Sequence, residues 1–134
     1  MIVFHLDDER LLAGPLQEFG GPVVGSRERF KVEFPVNDPR GCIAYEAFMP
    51  GDTVHWAFWH DEVHVVTAGE AEVEYTLAPN HNKVVKRTMG QGDTYLILDG
   101  TRATFRVTSA TPYLHVCVIM PRFDYSRWQL KEEF

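Results

Sequence analysis

Cysteine is scarce in this chain. Only Cys42 and Cys117 occur, far apart, in apolar stretches and without CxxC spacing. That argues against a disulfide framework or a cysteine-built zinc finger, and both read as buried free thiols. Long apolar runs are missing too, since no stretch approaches the ~20 residues that a membrane helix needs. The opening MIVFHLDDER turns acidic by residue 7 and lacks the basic start and apolar run of a secretory leader. The expected address is therefore cytoplasmic. Positive charge is in short supply: 13 Lys and Arg stand against 19 Asp and Glu, a net charge of −6. The acidic residues are spread along the chain, and such a surface repels a phosphate backbone, so neither nucleic acid nor membrane is an expected partner. Uninterrupted helical stretches are lacking as well. Pro15, Pro35, Pro39, Pro50 and Pro112 break up the chain, leaving Asp7–Leu12 and the tail Asp124–Phe134 for a helical turn or two.

What the sequence has is short β-rich runs. They cover 28–34, 41–49, 53–59, 62–68, 70–77, 83–89, 94–98, 103–108 and 113–119. Val, Phe, Tyr and Thr fill them and Gly, Pro, Asn and Asp separate them, the pattern of an all-β sandwich or barrel. A length of 134 residues suits one domain, 1–134, with a sizeable core. Glu70, Glu72 and Glu74 alternate with Ala71, Val73 and Tyr75, so that strand is expected to be wet on one face and buried on the other. Pro79-Asn80-His81-Asn82 then makes a hairpin tip with His81 in solvent.

Two stretches resemble a known family. Pro50 to Val73 is similar to the first cupin motif: Glu62 precedes Gly69 with six residues between, and Gly69 opens the strand GEAEV. Gly92 to Val107 is similar to the second, with Gly92, Asp93 and Gly100 at family spacing within GDTYLILDG. The resemblance implies an all-β, cupin-type (jelly-roll) barrel with a short C-terminal extension. It also implies a small-molecule site inside the barrel and, as in many small cupins, a homodimer. It departs from the family at the metal ligands. Where His-x-His is usual, leaving three residues before Glu62 gives Trp56 and Phe58, and leaving four gives His55 and Ala57. Leu98, Ala103 and Val107 stand at the usual proline, histidine and asparagine positions. The ordinary three-histidine, one-glutamate site therefore cannot form.

His60, Glu62 and His64 share parity on one strand and can face the interior together. Two imidazoles and a carboxylate suit one divalent transition metal, Zn, Fe, Mn or Ni, with His55 as a further nitrogen in the other register. A buried Glu62–His64 hydrogen-bonded pair, His60 and Asp61 on a rim loop, and a metal-free acid–base site are the alternatives. In the last of these, the pKa of a buried glutamate moves toward neutrality. The resemblance to ectoine synthases, small cupins of similar length, pairs Tyr95 with Glu62; the histidine completing their set corresponds to Ala103. His115 and Cys117 share parity on the last strand, which makes His115 a further acid–base candidate. Trp56, Phe58 and Trp59, with Tyr45 and Phe48 on the preceding strand, are expected to wall an apolar pocket.

The expected function is that of an enzyme on an aromatic or apolar organic molecule. Loss of the usual iron-type ligands favours lyase, isomerase, cyclase or dehydratase chemistry through Glu62, His64, Tyr95 or His115. A metal-dependent dioxygenase and a non-catalytic ligand-binding or regulatory barrel are the alternatives.

Overall fold

The computed structural model describes residues 1, 3–20, 27–38 and 40–120. The expected C-terminal turn at 124–134 lies outside them. One short helix, α1 (Asp8–Ala13), precedes ten strands: β1 (Gln17–Gly20), β2 (Arg27–Asp38), β3 (Gly41–Phe48), β4 (Thr53–Ala57), β5 (Asp61–Ala68), β6 (Glu70–Thr76), β7 (Val85–Gly90), β8 (Thr94–Ile97), β9 (Arg102–Val107) and β10 (Tyr113–Met120). The nine expected runs correspond to β2 through β10. β1 was not anticipated, its four residues being too few for a readable alternation. α1 starts where Asp7 accepts a hydrogen bond from the Arg10 N–H, and Asp8 and Glu9 favour its first turn. No described helix is long and apolar enough to cross a membrane.

The strands form two antiparallel sheets, ordered β1-β2-β3-β10-β5-β8 and β4-β9-β6-β7. Phe30, Phe48, Val54, Val66, Val73 and Phe105 are among the residues that fill the space between them. The expected alternation in β6 is present, with Ala71 and Val73 buried and Glu70 exposed. A second, smaller cluster lies on the outer face of the six-stranded sheet, where Leu11 of α1 covers Tyr45, Ala47 and Leu114. β2 continues through Pro35 because its pairing with β3 shifts register between Glu33 and Val36, where a residue without an N–H is tolerated.

The chain passes from one sheet to the other at Gly69, between β5 and β6. Its φ is +76°, and an added Cβ would lie 2.2 Å from the Pro112 carbonyl oxygen. Gly51 has a similar φ of +82° but open space around it. Gly51→Ala should therefore cost only the left-handed backbone penalty, about 1–2 kcal/mol. Gly69→Ala adds a backbone collision and should cost about 3 kcal/mol or more. Urea denaturation of the two variants measures the difference, and equal losses would refute the close approach at Gly69.

Candidate functional site

Strand pairing brings together side chains that are distant in sequence. Residues directly opposite each other in antiparallel strands face the same way and lie about 5 Å apart. In the six-stranded sheet, Ala44 of β3, Cys117 of β10, His64 of β5 and Tyr95 of β8 form one inward row. The next row holds Glu46 opposite His115 opposite Val66, and the row on the other side holds Ile119, Glu62 and Ile97. A polar cluster thus lies on the inner wall of the barrel.

At its centre is the Glu62 carboxylate, 6% exposed. His60 Nε2 lies 2.6 Å from one oxygen and His64 Nε2 lies 2.8 Å from the other. His64 Nδ1 meets the Tyr95 hydroxyl at 3.1 Å, and Tyr95 meets the Tyr113 hydroxyl at 2.8 Å. One tautomer satisfies this chain throughout: His64 donates Nε2–H to Glu62, Tyr95 donates to Nδ1, and Tyr113 donates to Tyr95. Beside it, His115 Nε2 lies 2.9 Å from Glu46.

Electrostatics assigns different roles within the cluster. Burial pushes the Glu62 carboxyl up, but the hydrogen bonds and charge of His60 and His64 outweigh it and hold the group at about 2. This is opposite to the expected move toward neutrality, so Glu62 is an ionised anchor and too weak a base to take a proton itself near pH 7. Burial raises Tyr95 well above its ordinary value and raises Tyr113 as well, so both hydroxyls keep their protons. Burial lowers His115, which favours its neutral ring despite Glu46.

The cluster opens onto a cavity of about 130 Å³. His60, Glu62, His64 and Glu46 are its polar lining, while Phe30, Phe48, Trp56 and Phe58 are prominent in its apolar wall. A second cavity, of about 180 Å³, lies toward β6 and β8 and shares Phe105 with the first; Tyr95 belongs to its wall.

The structure puts the other candidates elsewhere. Tyr45 does not line the cavity: it points to the outer face of β3, where its hydroxyl bonds to Asp8 and lies 3.4 Å from Thr67. Burial and the Asp8 carboxylate push that hydroxyl up to about 12. Trp59 is 38% exposed on the turn before β5 and is absent from the cavity wall. His55 points outward from β4 and bonds to Thr104, apart from the histidine cluster. The residues missed by the sequence reading are Glu46 and Tyr113. Glu46 alternates with inward Ala44 and Phe48, but its partner His115 is 69 residues away.

The cupin metal set is not reproduced. Trp56, Phe58 and Ala103 offer no ligand at their positions, and both Glu62 oxygens are bonded to imidazoles. Elsewhere among the described residues, one ligand atom from each of His64, His115 and Cys117 lies within 4.8 Å of the others.

No protein-family model matches the sequence, and no curated protein matches it. Its structure is similar to solved double-stranded β-helix proteins. KdgF from Halomonas sp. gives a TM-score of 0.60 at 19% identity, covering 91% of this chain and 97% of that one. A structural-genomics protein of unknown function from Rhizobium leguminosarum gives 0.62 at 22%, covering 90% and 97%. The Drosophila melanogaster CENP-C cupin domain gives 0.53 at 20%, covering 66% and 70%. These similarities establish the cupin fold expected from the two motifs.

The Glu62 anchor has a measurable consequence. Its pKa is lower in the folded state, so the stability it contributes is complete above the unfolded value of 4.5 and is lost as pH falls toward 2. At neutral pH the contribution is about 3 kcal/mol. Glu62→Gln should therefore lose about 1–3 kcal/mol at pH 6 and match the wild type more closely near pH 3. Urea titrations at both pH values measure this, and a gap that does not shrink in acid would overturn the ionised-anchor assignment.

Proposed function

We propose that this barrel is a small-molecule enzyme in which His60, oriented and charge-stabilised by Glu62, exchanges a proton with an apolar or aromatic organic substrate. The observation that carries this reading is the short Glu62–His60 contact at the cavity wall, with 21% of the His60 side chain still exposed. A carboxylate behind an imidazole fixes its tautomer and stabilises the imidazolium formed on proton uptake, as in general acid–base sites. His64, buried and bonded on both nitrogens, then acts with Tyr95 and Tyr113 to hold Glu62 in place. The catalytic role thus moves from Glu62 to His60, and Glu62 becomes a positioning residue.

The apolar wall selects the substrate class. A volume near 130 Å³ is comparable to apolar cavities that admit one benzene-sized molecule. Proton transfer in such a site serves an isomerase, a lyase or a dehydratase. The runner-up is a ligand-binding barrel, which the small volume also suits.

Two measurements test the reading. Phenol, benzaldehyde and cyclohexanone should change Trp56 emission in a Trp59→Phe, Trp128→Phe background, whereas glucose and adenosine monophosphate should not. Solvent deuterium should enter the α positions of bound cyclohexanone, and His60→Gln should slow that exchange by about 10²–10⁴-fold with the fold retained. Binding without exchange would identify the ligand-binding barrel, and preferred binding of the sugar or nucleotide would reject the apolar pocket.

A further inference from the structure

His64 and His115 stack inside the barrel with ring centroids 4.9 Å apart and planes at 24°. Each ring presents Nε2 to a carboxylate, His64 to Glu62 at 2.8 Å and His115 to Glu46 at 2.9 Å. A carboxylate accepts, so Nε2 of each ring carries the hydrogen and the lone pair falls on Nδ1. His115 Nδ1 is buried and finds no hydrogen-bond partner among the described residues, although its residue is fully enclosed. Such an orphaned nitrogen is costly unless something else uses it. The lone pair of His64 Nδ1 accepts from the Tyr95 hydroxyl, 3.1 Å away. Cys117 stands opposite His64 across the strands and is 1% exposed.

We propose that His64 Nδ1, His115 Nδ1 and Cys117 Sγ form a closed site for one thiophilic transition-metal ion, Zn²⁺ or Cu²⁺, at positions different from those of the cupin ligand set. A mixed nitrogen and sulfur donor set selects these ions over Mg²⁺, Ca²⁺ or Mn²⁺. Donors around a four-coordinate ion are about 3.5 Å apart; one nitrogen of each ring and the Cys117 sulfur already lie within 4.8 Å of one another, so the side chains need to close by only about 1 Å on loading. On binding, the Cys117 S–H bond breaks, its proton goes to solvent and the thiolate forms the metal–sulfur bond. Without an ion, burial keeps the thiol protonated. Each ligating imidazole would be backed by a carboxylate on its other nitrogen, the arrangement that orients histidines and raises their basicity at metal centres. On loading, His64 Nδ1 exchanges its Tyr95 hydrogen bond for the ion while its Nε2–H stays on Glu62, so both Glu62 oxygens keep their imidazole partners.

Cobalt(II) titration of the full chain, purified without chelator and freed of metal, tests the proposal. The expected result is one equivalent bound with an intense thiolate-to-cobalt charge-transfer band. The band should vanish in Cys117→Ser and persist in Cys42→Ser. Glu46→Gln should keep the band and weaken affinity about 10–100-fold. X-ray absorption of the zinc-loaded wild type supplies a reading that needs no variant to fold: one sulfur at about 2.3 Å with nitrogen neighbours at about 2.0–2.1 Å. No saturable binding, a shell of nitrogen and oxygen alone, or a band that survives Cys117→Ser would each overturn the proposal. Loss of deuterium exchange in His60→Gln with the cobalt band intact would separate this site from the proton-transfer site.

Discussion

An ionised carboxylate inside a β-barrel must be matched by donors, and the Glu62 carboxylate organises the interior around that need. Burial alone would neutralise it, so its persistence as a charge depends on two imidazoles, one for each oxygen. Meeting that requirement fixes the rotamer of His64, which turns Nδ1 toward Tyr95, which in turn accepts from Tyr113. A single buried charge thus sets the orientation of side chains on β5, β8 and β10, and it confines the polar surface to one wall while aromatic rings occupy the rest.

The fold was legible because both of its signals are local. Glycines at Gly69, Gly92 and Gly100 mark turns with positive φ, and period-2 alternation marks the strands between them. The shared face of Glu62 and His64 was legible for the same reason, since both lie on β5, whereas His60 sits on the bend before that strand and meets Glu62 from there. Long-range pairing is what the sequence concealed. Nothing near Glu46 indicates that it meets His115, because strand order in the sheet puts β3 beside β10.

Tyr45 shows a different limit. On β3 both parities are buried: Ala44 and Phe48 face the interior, while Tyr45 and Ala47 face α1. Hydrophobicity reports burial without reporting which side of the sheet provides it, so an aromatic under a covering helix looked like a cavity wall. His55 and Trp59 were sorted by local geometry, the one by strand parity and the other by its place on a turn. The direction of the Glu62 shift was also hidden, because it depends on the balance between burial and two specific hydrogen bonds at known distances.

The two cysteines lie on β3 and β10, strands flanked on both sides within the six-stranded sheet, whose edges are β1 and β8. Cys42 is 3% exposed and Cys117 1%. A thiol reagent cannot reach either by fraying an edge strand, so reaction at these sulfurs times the parting of the middle of the sheet. The chain therefore carries a built-in clock for its cooperative opening, readable by mass as modified sulfur accumulates, with no added label.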